Sequence, residues 1–90
     1  MILLISYDLK TPNANYDALY DLLKSAPSWW HYLNSTWLIY TPENVDVWQK
    51  KIRVAINSND SFIVIDITRQ NRNGWLPQKA WDWIKEYEKR

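Results

Sequence analysis

The chain has no cysteine, one glycine and one histidine among its 90 residues. Without cysteine it forms no disulfide and no thiolate metal site, and a single histidine disfavours an ordinary zinc centre. Gly74 stands alone, so the glycine-rich loops of Rossmann and P-loop proteins, which need several residues without a Cβ, are excluded. The commonest nucleotide and metal sites are therefore absent. The lack of cysteine leaves the redox compartment open, although a cytoplasmic protein is the simpler expectation.

The chain also lacks a charge imbalance and a long hydrophobic run. Its 11 basic and 10 acidic residues give a formal net charge of +1. No whole-molecule field therefore attracts nucleic acid or an anionic membrane, and any such binding must come from a local patch. The N-terminal apolar run has no basic lead-in and is too short to span a bilayer, so we expect no membrane partner. Ninety residues predict one domain with one core, spanning residues 1–90.

The chain begins with an apolar segment, around which the remaining predicted elements are organised. Five consecutive apolar residues are followed, after Ser6 and Tyr7, by the carboxylate of Asp8. So short a run, bounded by turn-prone residues, predicts a buried strand with apolar side chains on both faces. Asp8 lies where this strand leaves its sheet, a position that often carries chemistry.

The next segment predicts a helix and a hairpin. Asn13 or Asn15 can cap the helix, which should end shortly before Pro27 because proline disfavours helical geometry in the residue before it. Aromatic and β-branched residues then predict a hairpin of residues 29–33 with residues 36–40. One long bulged strand is the alternative.

The C-terminal half predicts a helix, a strand and a last helix. Thr41 as cap and Pro42 at the first helical position open the second helix, which should run to about Asn57. Residues 61–68 predict a strand that is apolar on both faces. Pro77 opens the last amphipathic helix.

This order of elements is the split βαβ pattern of the ferredoxin-like fold. We therefore predict an α+β, βαββαβ domain with an antiparallel sheet, two helices on one face and an additional C-terminal helix. The first strand lies in the middle, so its end meets both the hairpin turn and the start of the last strand. One edge of the sheet should gather Asp8, Asn34, Ser35, Asp60 and Ser61.

The second face of the sheet also needs cover. Left in water it would form an apolar patch larger than monomers usually tolerate. The C-terminal helix can cover part of it. A second copy, packed face to face through a symmetric interface, is the natural cover for the rest, so we expect a homodimer.

Short stretches over nearly the whole chain resemble a known family. Residues 7–8, 33–39 and 60–64 resemble the small subunit of the CRISPR spacer-acquisition complex. More closely, the chain is similar to SinR-like proteins, which are related to that subunit and share similar Ser-Tyr-Asp-Leu, Trp-Trp-His, Ser-Thr-Trp-Leu-Ile and Gly-Trp-Leu-Pro stretches. The resemblance implies a ferredoxin-like homodimer. It also implies a role for the aspartate matching Asp8, which in some CRISPR subunits is associated with metal-dependent nuclease activity, whereas other members serve as nucleic-acid scaffolds.

This chain departs from the CRISPR subunit in its near-neutral charge and its Trp-rich C-terminal helix. If two Asp8 carboxylates face each other across a dimer axis, they could share a Mg²⁺ ion and support a metal-dependent endonuclease or phosphodiesterase. The alternatives are that Asp8 caps the following helix or ends its strand as a solvated charge. A triad of His31, Ser35 and Asp8 is disfavoured because a hairpin arm separates His31 from Ser35. We expect His31 to be a half-buried strand residue and Asp60 to be a turn residue.

Seven tryptophans are more than a small interior can hold, so some must lie at an interface or in a pocket. Beside basic residues, exposed indoles could stack bases, each stacked base being worth about 1–3 kcal/mol. Contact with a protein is the alternative, since tryptophan is enriched at binding hot spots. The predicted binding residues are Trp29, Trp30, His31, Asn34, Ser35, Lys50, Lys51, Arg53, Arg69 and Arg72.

These features lead to two functional hypotheses. The first is a homodimer that engages nucleic acid or a nucleotide and retains weak metal-dependent activity through Asp8. The alternative is a non-catalytic, Trp-rich module that binds a protein or sequesters a nucleotide-like ligand. A phage or mobile-element inhibitor of a host antiviral defence protein would behave in this way.

Overall fold

A computed structural model describes residues 1–11 and 14–90. These residues form a four-stranded antiparallel sheet and three helices, an α+β arrangement whose element order is compatible with the predicted fold. In chain order the elements are β1 (Ile2–Asp8), α1 (Asp17–Lys24), β2 (Ser28–Leu33), β3 (Thr36–Tyr40), α2 (Val45–Arg53), β4 (Ser61–Asp66) and α3 (Gln78–Glu88). No helix in these described ranges is long and apolar enough to cross a membrane.

The N-terminal strand β1 lies inside the sheet, whose strand order is β2-β3-β1-β4. It pairs antiparallel with β3 on one side and with β4 on the other. Ile2, Leu3 and Ile5 have no exposed surface. The prediction of a central strand buried on both faces is thus confirmed for most of its length.

Helices α1 and α2 cover the first face of the sheet. Leu19 and Leu23 of α1 and Ile52 of α2 are fully buried in the same cluster as the β1 side chains. Two tryptophans complete this core, and both indole N–H groups have partners, as is usual for buried indoles. Trp37 donates to the Tyr7 hydroxyl at 3.0 Å, and Trp48 donates to the Thr41 hydroxyl at 3.2 Å.

Helix α3 covers part of the second face, as predicted. Ala80 and Ile84 pack in a separate cluster with Ile2, Trp30 and Leu38. Beyond the helix, three apolar side chains on or beside this face remain exposed, with relative exposures of 45% for Leu33, 55% for Ile63 and 43% for Ile65.

The predicted cap of the first helix is wrong. Tyr16 is the N-cap of α1 and makes no side-chain capping bond. Asn15 instead forms a local turn, in which its Oδ1 accepts from the Asp17 N–H at 2.8 Å. The alternative cap, Asn13, lies outside the described residues. The helix ends at Lys24, as the proline at position 27 predicts.

The predicted start of the second helix is also wrong. The helix begins at Val45, and the Asn44 side chain caps it by accepting from the Val47 N–H at 3.0 Å. Thr41 is buried at the end of the sheet, where its N–H donates to the Met1 carbonyl. Its hydroxyl accepts from the Trp48 indole N–H in the core and from the Glu43 N–H in a local turn. The helix ends at Arg53 rather than near Asn57.

The hairpin is confirmed, and the single bulged strand is wrong. β2 pairs with β3 antiparallel, although the register shifts between Trp30 and Leu33. β4 ends at Asp66 instead of Thr68, because the Thr68 hydroxyl turns to accept from the Ile2 N–H at 2.8 Å. Pro77 directly precedes α3, as predicted.

Candidate functional site

The predicted gathering of polar residues at one edge of the sheet is confirmed. Asp8 lies opposite Ser61 in the β1–β4 register. The Tyr7 N–H donates to the carbonyl of Ser35, in the hairpin turn, at 3.0 Å. The Lys10 N–H donates to Asp60 at 2.8 Å. The turn that holds Asn34 and Ser35 therefore lies at the end of β1, and β4 begins on the other side of that end.

At this edge, Asp8 is an exposed carboxylate. Its side chain is 68% exposed and lies 3.5 Å from the Lys10 ammonium. Such surface pairs contribute little to stability. Asp8 does not cap the following helix, whose N-cap is Tyr16, so that alternative is wrong. No group of three or more His, Asp or Glu side chains in the described residues could hold a metal ion.

Asp60 is a structural turn residue, as predicted. Its carboxylate accepts from the N–H groups of Lys10 and Asn57 and from the Tyr16 hydroxyl, at 2.8, 2.9 and 2.9 Å. Desolvation acts to raise the pKa of Asp60, but these hydrogen bonds together lower it below its ordinary value. The anion thus ties the loop after β1 to the loop before β4.

His31 takes no part in a triad. Its ring stacks on the Trp37 indole, with centroids 4.3 Å apart and planes 18° apart. Within the described chain no hydrogen bond joins it to Ser35 or Asp8. The expectation that His31 is half-buried is wrong, because β2 is an edge strand and leaves the ring exposed. Partial desolvation and the Lys24 charge lower the pKa of His31 below its ordinary value.

Around Trp37 lies a cleft of about 370 Å³, which we call the aromatic cleft; it is lined by Tyr20, Lys24, Trp29, His31 and Trp37. The regular spacing of side chains along a helix and along a strand brings these residues together. Tyr20 and Lys24 lie one turn apart on α1, and Trp29 and His31 are alternate residues of β2. Trp37 of β3 forms the floor, with only 2% of its surface exposed.

The side chains of the aromatic cleft present π-faces and one cation. Trp29 lies 5.0 Å from Trp37 between ring centroids and remains 38% exposed. Tyr20 stacks on Trp37 at 6.5 Å, and the Lys24 ammonium lies 5.8 Å from the Trp29 ring centroid. Such a cleft can stack a planar ring on the exposed face of Trp29 while Lys24 holds an anion attached to it.

Sequence reasoning identified Trp29 and His31 but missed Tyr20, Lys24 and Trp37. The spacing of Tyr20 and Lys24 on one helix face was visible in the sequence. These two side chains reach β2 and β3 because of the way α1 packs on the sheet. The sequence pattern of one helix does not predict that packing.

The predicted basic residues do not form one patch, and none of them lines the aromatic cleft. Arg69 donates to the Glu88 carbonyl at 3.1 Å, and Arg72 pairs with the Glu88 carboxylate and donates to the Ile67 carbonyl. These two arginines tie the loop after β4 to the end of α3.

The other three basic residues lie on α2. Lys51 pairs with Glu43 at 2.7 Å and lies over the Trp48 ring. Lys50 and Arg53 are exposed on the surface of α2.

The structure sorts the seven tryptophans by exposure. Trp30, Trp37 and Trp48 are buried, whereas Trp29 and Trp75 are exposed. Trp81 and Trp83 are intermediate. Trp30 lies in the α3 cluster. Trp75 is 99% exposed, so its indole makes almost no contact with the rest of the chain.

Comparison with protein-family models, curated proteins and solved structures gives no match for this chain. The resemblance to SinR-like proteins and to the CRISPR subunit therefore stays a prediction from the sequence.

Proposed function

We propose that this protein binds a nucleotide or a single-stranded nucleic acid through the aromatic cleft. The observation that carries the proposal is the juxtaposition of two indoles, an imidazole and one ammonium around an open cleft. Aromatic faces accept any base, at about 1–3 kcal/mol per stacked base, and a lysine holds a phosphate as a point charge. The exposed face of Trp29 is the expected stacking platform, with Lys24 beside it.

The charge distribution favours a short or single-stranded ligand over a duplex. Duplex binding relies on many lysine and arginine contacts that release counterions. This chain has a net charge of +1, and Lys24 is the one cationic side chain that lines the aromatic cleft. Affinity should therefore come mainly from stacking.

Intrinsic fluorescence titrated with nucleotides and short oligonucleotides tests the proposal. Trp29→Leu should weaken binding by about tenfold to a hundredfold, which corresponds to one stacked base. Trp75→Leu is the matched control, because it removes an exposed indole that does not line the cleft. An unchanged wild-type spectrum with every ligand would contradict the proposal, as would equal losses in the two variants.

We further propose a ferredoxin-like fold and a homodimer. The fold is supported by the strand order β2-β3-β1-β4 and by two helices packed on the same face. The homodimer is supported by the exposed side chains of Leu33, Ile63 and Ile65. Location in the cytoplasm is part of the same proposal and agrees with the absence of cysteine.

We also propose a weak Mg²⁺-dependent phosphodiesterase activity through Asp8. The support for it is the exposed position of Asp8 and the resemblance described above. One chain supplies a single carboxylate here, so the shared ion requires two chains. Nuclease assays with Mg²⁺ or Mn²⁺ should show cleavage that Asp8→Ala abolishes and the surface control Asp21→Ala retains. If neither wild type nor Asp8→Ala cleaves, or both cleave equally, Asp8 is not catalytic.

A second candidate function, a non-catalytic protein-binding module, is favoured by Trp75. An indole that is 99% exposed keeps its apolar surface in water, which is unfavourable for the unbound protein. Exposed indoles commonly become hot spots of protein interfaces. In this case Trp75→Leu should abolish capture of a defence protein and Trp29→Leu should not. The same pair of variants therefore separates the two functions.

A further inference from the structure

The two edges of the sheet differ in how well they are protected. β2 forms one edge, and its register with β3 shifts between Trp30 and Leu33. β4 forms the other edge and pairs with β1 in unbroken register from Asp66 to Ser61. It carries no proline, lysine or bulge, the devices that normally protect an edge strand from pairing with another chain. β4 is therefore the open edge.

The outward backbone groups of β4 can be assigned. In an antiparallel pair, alternate residues direct their N–H and C=O groups toward the neighbouring strand. The Ile67 N–H donates to the Ile2 carbonyl at 2.9 Å, which fixes the phase. Counting back in steps of two from Ile67, Ile65 and Ile63 also direct their backbone groups toward β1. The residues that alternate with them, Phe62, Val64 and Asp66, therefore direct theirs outward. In the described part of the chain no other element pairs with them.

We infer that a second copy of the chain adds to this edge, β4 to β4 and antiparallel, so that the two sheets become one. The inference rests on the homodimer proposed above and not on the ligand. A two-fold axis at Val64 pairs Val64 with Val64 of the partner subunit. It also pairs Phe62 with Asp66 of the partner subunit, and the reverse. All three outward residues then complete a hydrogen-bonded ladder.

The same register matches the side chains on the second face. Ile63 comes to lie opposite Ile65 of the partner subunit, and both side chains are about half exposed in the single chain. Apolar cross-strand pairs of this kind stabilise a sheet. The Asp66 carboxylate, held by the Thr68 hydroxyl at 2.6 Å, lies opposite a phenylalanine, so no like charges meet in the ladder.

The helix beside the edge is self-complementary in charge. A groove of about 570 Å³ separates α2 from β4, and its helical wall includes Asp46, Gln49 and Arg53, which share one face of α2. A two-fold axis through β4 places the two α2 helices antiparallel. Asp46 then approaches Arg53 of the partner subunit. Neither side chain has an ion pair among the residues described here, so both charges are available to a second copy.

This dimer differs from the face-to-face dimer expected from the sequence. Two β4 strands would stand between the two β1 strands, which places the β1 strands about 14 Å apart across the sheet. The two Asp8 carboxylates could not then share one metal ion. The edge-to-edge dimer and the shared metal ion therefore exclude each other, and the cross-linking experiment below decides between them.

A mixed cross-linking experiment tests the register, because the chain has no cysteine of its own. Ile63→Cys and Ile65→Cys proteins are mixed under reducing conditions, allowed to exchange subunits and oxidised. Only the mixture should give a disulfide-linked dimer. Within one variant the two thiols lie in diagonal positions, beyond the distance a disulfide can bridge. A face-to-face dimer would instead cross-link through Asp8→Cys.

The inference is overturned if the mixture forms no cross-link, or if either variant alone cross-links as well as the mixture. A wild-type chain that is strictly monomeric by light scattering at about 100 μM would also overturn it, since a stable interface of ordinary size persists at that concentration. Circular dichroism of each variant confirms that it is folded before the comparison is made.

A charge exchange tests the helix contact independently. Asp46→Arg or Arg53→Asp alone should raise the dimer dissociation constant at least fivefold, and the double variant should restore it. Val54→Lys is the control, since Val54 is 87% exposed and does not line the groove. Single variants that dimerise like wild type, or a double variant that does not recover, would contradict the contact. A monomer that still binds nucleotide overturns only the dimer, and a dimer that binds none overturns only the ligand proposal.

Discussion

Ser35 occupies a turn position that glycine would fit better. The Asn-Ser turn is a weaker hairpin signal than Asn-Gly, yet the hairpin forms. Ser35 adopts a φ of 61°, in the left-handed region where an L side chain costs roughly 1–2 kcal/mol. The turn is held in place by the Ser35 carbonyl, which accepts from the Tyr7 N–H.

We expect Ser35→Gly to stabilise the protein by about 0.5–1 kcal/mol, because the relief of strain exceeds the added entropy of the unfolded chain. Urea denaturation measures the change. Arg69 is the control, since its φ is 56° but its guanidinium donates to the Glu88 carbonyl, so that Arg69→Gly should gain less. A destabilised Ser35→Gly protein would show that the serine hydroxyl matters more than the backbone.

The lowered pKa of His31 makes stability depend on pH. The unfolded chain binds a proton to His31 near pH 6.5, whereas the folded state binds it only at lower pH. The free energy of unfolding should therefore fall as pH drops below about 6.5, and this contribution is fully present above that value. Titration by NMR should give a pKa below 6.5 that rises in Lys24→Met and not in Lys85→Met. A value at or above 6.5 in the wild type would contradict the packing against Trp37.

At the scale of elements, the hydrophobic pattern predicted every helix and strand but misplaced the boundaries that tertiary contacts control. Thr41 and Pro42 have the local signature of a helix start, and the helix begins three residues later at Asn44 and Val45. The Thr41 hydroxyl accepts from the Glu43 N–H in a local turn and from the buried Trp48 indole, and the sequence pattern does not predict the second contact. Likewise, the aromatic cleft needs α1 to pack beside β2, which the periodicity of either element alone cannot specify.

We expect Asn44→Ala to destabilise the protein by about 1 kcal/mol, the usual cost of losing an N-cap. Thermal denaturation followed by circular dichroism measures it. Asn59→Ala is the matched control, because Asn59 is an exposed turn residue outside every helix and strand. Equal effects of the two substitutions would contradict a stabilising cap at Asn44.

At the scale of the whole molecule, the sequence predicted a sheet that needs cover on both faces, and the structure provides most of that cover within one chain. α3 buries Trp30 and Leu38 on the second face. Two of the three side chains that remain exposed, Ile63 and Ile65, lie on β4, and only the assembled sheet shows that this strand is also the unprotected edge. Strand order, and hence edge identity, depends on long-range pairing that no local pattern contains.

The near-neutral charge predicts weak salt dependence of ligand binding. If Lys24 alone contacts a phosphate, the logarithm of the association constant for a short single-stranded oligonucleotide should fall with the logarithm of salt concentration with a slope of about −0.7. Fluorescence titrations between about 50 and 200 mM salt measure this slope. Proteins that contact many phosphates lose much of their affinity over this range. A slope steeper than about −2 would require several basic residues, and α2 would be their source.

Trp37 contacts the ring of His31 on one side and donates its indole N–H to the Tyr7 hydroxyl on the other. Tyr7 is the neighbour of Asp8 along β1, and burial raises the pKa of its phenol. A molecule that displaces the Trp37 indole must also disturb that phenol. The buried pair of Trp37 and Tyr7 would then register, inside the core, whether the aromatic cleft is occupied.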